Sequence, residues 1–352
     1  MRTTPRRALR PAATAVVGAL TLATLAACST DTPGGDATTS GAPSVTSVEA
    51  AFPVTIEHAF GETTVPAQPT RVAAVSWANQ DAAIALGVVP VAQPFAAYGG
   101  DADGYLPWTL AGLEALGSER PTLLDEADGL DFEGLATAAP DLILGTYSGI
   151  TQEEYDKLTK IAPTLGFPEV AWGTDWEDQL DAAGKALGKE AEADRLEDEI
   201  EKKIADAVAA APEMQGKTFA YLSFTSSDPS SVYYYTTEDS RVEFVESLGL
   251  KSAPKIEELS EGNDEFFGTL SAELVDQIDA DIVFAYVDDA AHLEAVKADK
   301  LLGKIPAIAA GAVVQLDDPT FILSTSAPSP LSIPWAVDKY VPLIQAAVAK
   351  VK

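Results

Sequence analysis

Side chains able to do covalent or metal chemistry are few in this 352-residue chain, and their spacing does not favour such chemistry. Histidine occurs only at His58 and His292, in unrelated settings, whereas direct capture of a metal ion wants several imidazoles with carboxylates close by. Serine and aspartate are plentiful, but there is no Gly-x-Ser-x-Gly elbow, and Tyr147-Ser148-Gly149 lacks the leading glycine spacing. Glycine-rich phosphate and dinucleotide motifs are missing too. No catalytic residue and no protein metal ligand is therefore assigned. A secreted, anchored hydrolase is the competing class, and turnover of an ester or glycoside would reveal it. What recurs instead is aromatic. Trp77, Tyr98 and Tyr147 each follow a strand-like apolar run, and Trp172 follows the run Thr164 to Val170. Flat rings placed there suit a bound molecule, because open α/β sheets take ligands beyond the carboxyl ends of their strands.

Positioning those rings requires strands and helices in alternation. Val54 to Val65 alternates about Gly61 and reads as a hairpin. Arg71 to Trp77 is a strand running into a loop, Asp81 to Leu86 a helix, Val88 to Ala92 the next strand, and Leu142 to Gly145 another. Farther on, Lys217 to Phe224 and Ser231 to Tyr235 read as strands, the second ending in three tyrosines. Arg241 then starts a helix that ends at Leu248-Gly249. Tyr235, Phe267 beside Phe266, and Tyr286 supply further rings after strands or in loops.

Between the two sets lies Lys189 to Ala211, free of Gly and Pro and bounded by Gly188 and Pro212. Leu196, Ile200, Ile204 and Val208 give it one apolar stripe, with Asp198–Lys202 and Glu199–Lys203 as i,i+4 pairs on the wet side. At 1.5 Å per residue it is about 34 Å long, enough to cross a small domain. The flanking sequences echo each other. Glu133 precedes Asp141 by eight positions and Glu273 precedes Asp281 by eight, each Glu in the first turn of a short helix and each Asp opening an apolar strand. A second echo sets Val72–Ser76 and Leu86-Gly87-Val88 against Val232–Tyr235 and Leu248-Gly249-Leu250. Two such echoes predict an α/β protein of two Rossmann-like lobes, 52–188 and 212–352, joined by one long α-helix over 189–211 with a ligand cleft between them.

The chain carries 23 basic and 54 acidic residues, a formal net charge of −31. Nucleic acid is an unsuitable partner for that field. Four of the arginines precede Cys28, where no acid occurs. Residues 1–27, a basic start and a small apolar run closing on Leu25-Ala26-Ala27-Cys28, read as a signal peptide. About fourteen apolar residues fall short of the roughly 20 a spanning helix needs. The tetrapeptide resembles a bacterial lipobox, which makes Cys28, the only cysteine, a lipidation site. Residues 28–51 are small and polar, a flexible tether that would hold the folded part at a membrane surface.

Several motifs in order carry a resemblance: Thr55-Ile-Glu-His-Ala-Phe-Gly-Glu-Thr63, Pro69-Thr-Arg-Val-Ala-Ala-Val75, Ala85-Leu-Gly-Val-Val-Pro-Val91, Ala139-Pro-Asp-Leu-Ile-Leu-Gly-Thr-Tyr-Ser-Gly-Ile-Thr151 and Lys160-Ile-Ala-Pro-Thr164. From about Phe52 to the C-terminus the chain resembles the iron-siderophore substrate-binding proteins of ABC importers. The resemblance implies a lipid-anchored receptor of a Gram-positive bacterium, on the outer face of the cell membrane, with two α/β lobes and a rigid connecting helix. It implies a cationic ligand contact at Arg241, which suits a chain so short of basic groups. It also implies one docking carboxylate per lobe, Glu133 and Glu273, for a permease dimer driven by a cytoplasmic ATPase. Iron would arrive already chelated, so no cofactor is expected beyond the bound ferric siderophore, and the receptor is expected to be a monomer. The strong acidity favours neutral or cationic hydroxamate chelates over anionic tris-catecholates. Haem or cobalamin, which bind to the same fold, are the alternative cargo.

Overall fold

The computed structural model describes residues 52–263 and 265–351. The predicted signal peptide, Cys28 and the tether lie outside the described residues. The chain divides between Ser47 and Val48, and the described residues all belong to the unit that begins at Val48.

Alternation over Val54 to Val65 produces the expected hairpin. β1 (Val54–His58) and β2 (Gly61–Val65) pair antiparallel, with Val54 opposite Val65. The apolar runs after it become short strands, buried along the middle of a parallel sheet and partly exposed at one edge. β3 (Val72–Ala74), β4 (Ala92–Pro94), β5 (Thr122–Leu124), β6 (Leu142–Leu144) and β7 (Thr164–Leu165) form an all-parallel sheet in the order β5-β4-β3-β6-β7. Helices α1 (Asn79–Ala85), α2 (Pro107–Ala115), α3 (Phe132–Ala138) and α4 (Gln152–Leu158) connect these strands. One predicted strand is displaced: β4 begins at Ala92 and not at Val88. The Val88 N–H is spent on Ala83 O at 2.8 Å, at the end of α1, and Pro90 has no N–H to offer a ladder.

Two helices lead out of this lobe. α5 (Trp176–Leu187) is closed by Gly188 at φ 68, and α6 (Glu190–Ala210) is the predicted connector, 21 residues and about 32 Å long. The two lie very close, since a Cβ on Gly184 would come within 2.7 Å of the Ala193 methyl. Of the predicted stripe, Ile200 and Ile204 are buried, while Leu196 and Val208 are half-buried against the same core. The surface pairing differs from the expected i,i+4 scheme. Glu199 pairs with Arg195, Lys202 with Asp206, and Lys203 leaves the helix to reach Asp338 at 2.9 Å. Arg195 and Asp206 stand at the same spacing as the predicted partners, so local geometry allowed either choice.

The second sheet is mixed. β8 (Thr218–Ser223) lies beside β9 (Ser231–Tyr235) and β10 (Lys251–Ser252) on one flank and β12 (Ile282–Tyr286) on the other, with β11 (Phe267–Ser271) and β13 (Val313–Leu316) outside them. β9 runs antiparallel to β8 and β11, and the remaining pairings are parallel. The helices of this lobe are α7 (Ser240–Ser247), α8 (Pro254–Ser260), α9 (Ala290–Ala298), α10 (Pro306–Ala310), α11 (Pro319–Ser326) and α12 (Ser332–Val348).

One echo marks a shared device. Asp141, just before β6, accepts the N–H groups of Thr70 and Arg71 at 2.8 and 2.9 Å, ahead of β3; Asp281, just before β12, accepts the Thr218 N–H at 3.0 Å, at the start of β8. In each lobe a carboxylate ties together the beginnings of two parallel neighbours. The other echo holds only in part, because the counterpart of β3 is β8 and not the tyrosine strand β9. Only a short loop, Phe224 to Ser230, separates β8 from β9, and a connection that short permits antiparallel pairing alone. Leu86-Gly87 and Leu248-Gly249 are true counterparts, each leading from a helix into a strand beside the central one. Glu133 does sit in the first turn of α3. Glu273 does not sit in a helix: it lies in a turn ahead of a single 3-10 turn (Val275–Gln277), so no macrodipole favours it.

One apolar cluster runs through both lobes. It takes Val72 and Leu144 from the first sheet, Leu180 and Ile200 from α5 and α6, Phe284 from the second sheet and Tyr340 from α12. Wide swinging of one lobe on the other would expose that cluster to water, so closure is restricted to small motions.

Candidate functional site

The loop from β3 to α1 is built against local preference. Ser76 and Ala78 both take positive φ, 59 and 64, a conformation that costs a non-glycine residue about 1–3 kcal/mol. Between them stands Trp77, 49 % exposed. The side chain of Asn79, which is buried, overcomes the strain. Its Nδ2 donates to Val75 O at 2.7 Å, Trp77 O at 3.1 Å and Tyr147 O at 3.0 Å, and its Oδ1 accepts from Thr146 Oγ1 and the Tyr147 N–H at 2.9 Å. One amide thus locks the loops after β3 and β6 together. Glu126 adds a carboxylate oxygen 3.0 Å from the Ser76 N–H.

Trp172 also takes positive φ, 62, with its N–H bonded to Ser148 O at 3.0 Å. Its ring meets Trp77 at 5.7 Å and Tyr147 at 5.6 Å. Gly149 makes room for it, since a Cβ there would fall 2.3 Å from Trp172 Nε1. Tyr147 itself is buried, and its hydroxyl donates across to Ser326 O at 2.9 Å. Tyr98, 45 % exposed, sits in the loop after β4, next to Gly99, whose carbonyl accepts from Thr320 Oγ1 at 2.7 Å.

The second lobe contributes charge. Arg241, in the first turn of α7, gives Nε to Asp239 Oδ1 at 2.7 Å, and its guanidinium lies 4.1 Å above the Tyr235 ring and 6.0 Å from that of Tyr286. Burial alone would disfavour the cation, but Asp239 and the surrounding phenols hold its pKa well above the ordinary value. Burial pushes the Tyr235 phenol up to about 12, so it stays a neutral donor. Tyr286 bonds Ser326 Oγ at 2.7 Å.

Seven of the eight candidate ligand residues line one cleft of about 480 Å³, a size ordinary for small-molecule sites. Phe267 does not line it. Its ring meets Tyr233 at 6.0 Å, on the outer part of the sheet, and its neighbour Phe266 faces the cleft instead. Arg241 is the one cation among the described residues of the lining. Sequence reasoning missed Asp239 and Asn79. The first could have been found as an N-cap two residues before Arg241, whereas nothing local distinguishes the second. Glu133 and Glu273 are exposed and outside the cleft. Among the described residues no group of three or more His, Cys, Asp or Glu could hold a metal ion, and no helix is long and apolar enough to cross a membrane. His58 is bonded to Thr63 Oγ1 at 2.9 Å and His292 is paired with Asp288 at 3.3 Å, so both imidazoles serve local structure.

Residues 72–320 match the family of periplasmic binding proteins. The chain belongs to that family. It is a solute-binding protein and not an enzyme. PiaA of Streptococcus pneumoniae TIGR4, solved in complex with ferrichrome, is 39 % identical, with a TM-score of 0.80 over 85 % of this chain and 99 % of its own. A periplasmic solute binding protein of Mycobacterium smegmatis str. MC2 155 is 25 % identical, with a TM-score of 0.70 over 84 % of this chain and 98 % of its own. The probable siderophore-binding lipoprotein YfiY of Bacillus subtilis (strain 168) is 29 % identical over 236 residues, which is 66 % of this chain and 68 % of that protein. These likenesses agree with the two-lobed α/β architecture of this solute-binding protein.

Proposed function

We infer that the protein captures a ferric siderophore, a hydroxamate in preference to a catecholate, between its lobes and delivers it to an ABC-type permease for iron uptake. The observation that carries this reading is the cleft itself. Aromatic faces from both lobes surround one half-buried guanidinium whose charge is already shared with Asp239, which suits a bulky chelate of low net charge. A tris-catecholate carries several negative charges, and this lining offers them a single, partly neutralised cation. Ligands named for the relatives, ferrichrome for PiaA and a siderophore for YfiY, support the same class. In this reading Cys28 carries the lipid that holds the protein as a monomer on the outer face of a Gram-positive membrane. Glu133 and Glu273 meet the two halves of the permease dimer.

Tryptophan fluorescence tests it, because Trp77 and Trp172 stand at the cleft. The purified protein is titrated with ferrichrome, a ferric tris-catecholate, haem and cobalamin. Saturable sub-micromolar quenching by the hydroxamate supports the reading. Silence towards both ferric chelates, with tight haem or cobalamin binding, sinks it and leaves the fold intact.

A further inference from the structure

A second, smaller cavity of about 170 Å³ adjoins the cleft, sharing Trp77, Tyr98 and Leu323 with it. Its walls are largely apolar, with Phe95, Leu106, Trp108 and Ala327 among them. The ionisable groups at its polar end, Asp81 and Glu126, are acidic, and among the described residues no cationic side chain belongs to its lining. Asp81 is fully engaged: Trp108 Nε1 and Thr109 Oγ1 donate to it at 2.8 Å and Ser329 Oγ at 2.7 Å. Two acceptors beside it are not. One Glu126 oxygen takes the Ser76 N–H, but Oε1 has no partner among the described residues. Gln80, only 5 % exposed, offers Nε2 to Asp81 at 3.3 Å and leaves its own Oε1 equally without a donor. Buried acceptors left this way cost stability, and each such group calls for an explanation.

We propose that this cavity receives a short alkyl arm of the bound chelate ending in a protonated amine, the arm lying along Trp108 and Phe95 and the ammonium donating to Glu126. The proposal rests on the siderophore reading above and specifies which hydroxamates the protein prefers. Size agrees, since a cavity of about 170 Å³ has room for a short aminoalkyl chain. Charge agrees as well. Three hydroxamates balance Fe(III), so the chelate core is neutral, and an ammonium arm supplies the only charge for this end of the site to recognise. Burial pushes Glu126 up to about 7, and Asp131 at the start of α3 and Glu154 on α4 push it the same way. Asp81, on α1 and in the same cavity, ionises near 6. Both carboxyls therefore become anionic as pH rises from 6 to 8, and capture of the arm strengthens over that range.

Ferrioxamine B, which has a free aminopentyl arm, and its neutral N-acetyl derivative provide the test, by calorimetric titration of the purified protein at pH 6 and pH 8. The expected result at pH 8 is a preference of about tenfold to a hundredfold for the free amine, the range of a buried charge-assisted hydrogen bond. That ratio should shrink at pH 6 and approach unity in Glu126→Gln. Ala97→Leu, at an exposed residue of the cavity wall, should also remove it by occupying the space. Using the ratio guards against a general weakening from disturbance of the Ser76 bond. Equal affinities in the unsubstituted protein, or a preference that survives both substitutions, overturn the proposal and leave the siderophore reading standing. Failure to bind either ferrioxamine overturns the proposal alone, because the siderophore reading is decided by the ferrichrome titration.

Discussion

Asn79→Ala is the substitution with the clearest expected consequence. In a buried position the amide engages five polar groups, its two N–H protons shared among three carbonyls, and deleting it strands Val75 O, Tyr147 O, the Tyr147 N–H and Thr146 Oγ1; Trp77 O keeps the Asn79 N–H at 2.9 Å. At about 1 kcal/mol net per bond, with partial rescue by entering water, the loss is about 3–5 kcal/mol. The damage should also reach function. The positive-φ residues at Ser76 and Ala78 are held in place by these bonds, and about 1–2 kcal/mol of their strain released in the free protein would have to be restored on binding. A ferric hydroxamate should therefore bind about tenfold more weakly. Urea denaturation followed by circular dichroism, with fluorescence titration of the chelate, measures both. A stability loss under 1 kcal/mol with unchanged affinity would refute the idea that one amide organises the two loops.

Arg241→Ala should weaken hydroxamate binding by at least tenfold and also destabilise the fold, because it leaves Asp239 buried and unpaired. Adding Asp239→Asn should recover stability without recovering affinity, a split that calorimetry and denaturation can resolve. The Asp81 carboxyl is held up at about 6 by burial, so in the folded protein it keeps its proton after the unfolded chain has lost it. Its contribution is fully present below the ordinary aspartate value and is lost as pH rises through about 6. The melting temperature should accordingly fall, relative to Asp81→Asn, between pH 4 and pH 7, and parallel curves would contradict this. Glu133→Ala with Glu273→Ala should reduce cellular iron uptake severalfold at unchanged chelate affinity, and unchanged uptake would remove both from the docking surface.

Residues of the cleft differ in how far spacing along the chain reveals them. Trp77, Tyr98, Tyr147 and Trp172 were legible because they follow apolar runs, and strand ends in an open sheet share one edge. Arg241 was implied by the family resemblance, with the scarcity of positive charge in support. Phe267 and Phe266 could not be separated, because a one-residue difference in where β11 begins decides which ring reaches the cleft. Val232 to Tyr235 looked like a copy of the first lobe's central strand, since composition carries no record of strand direction.

The sequence by itself determined the alternation of strands and helices, the long connector with its apolar stripe, and the repeated Asp at the start of β6 and β12. These depend on neighbours a few residues apart, where periodicity and caps act. Tertiary structure alone decided that Asn79 joins two loops 68 residues apart, that Asp239 already shares the charge of Arg241, and that Glu126 and Gln80 face a cavity with unpaired oxygens. Those outcomes are set by which buried polar atoms meet once both sheets have packed, and hydrogen bonding in a dry interior is fixed by proximity in space, which spacing along the chain does not encode.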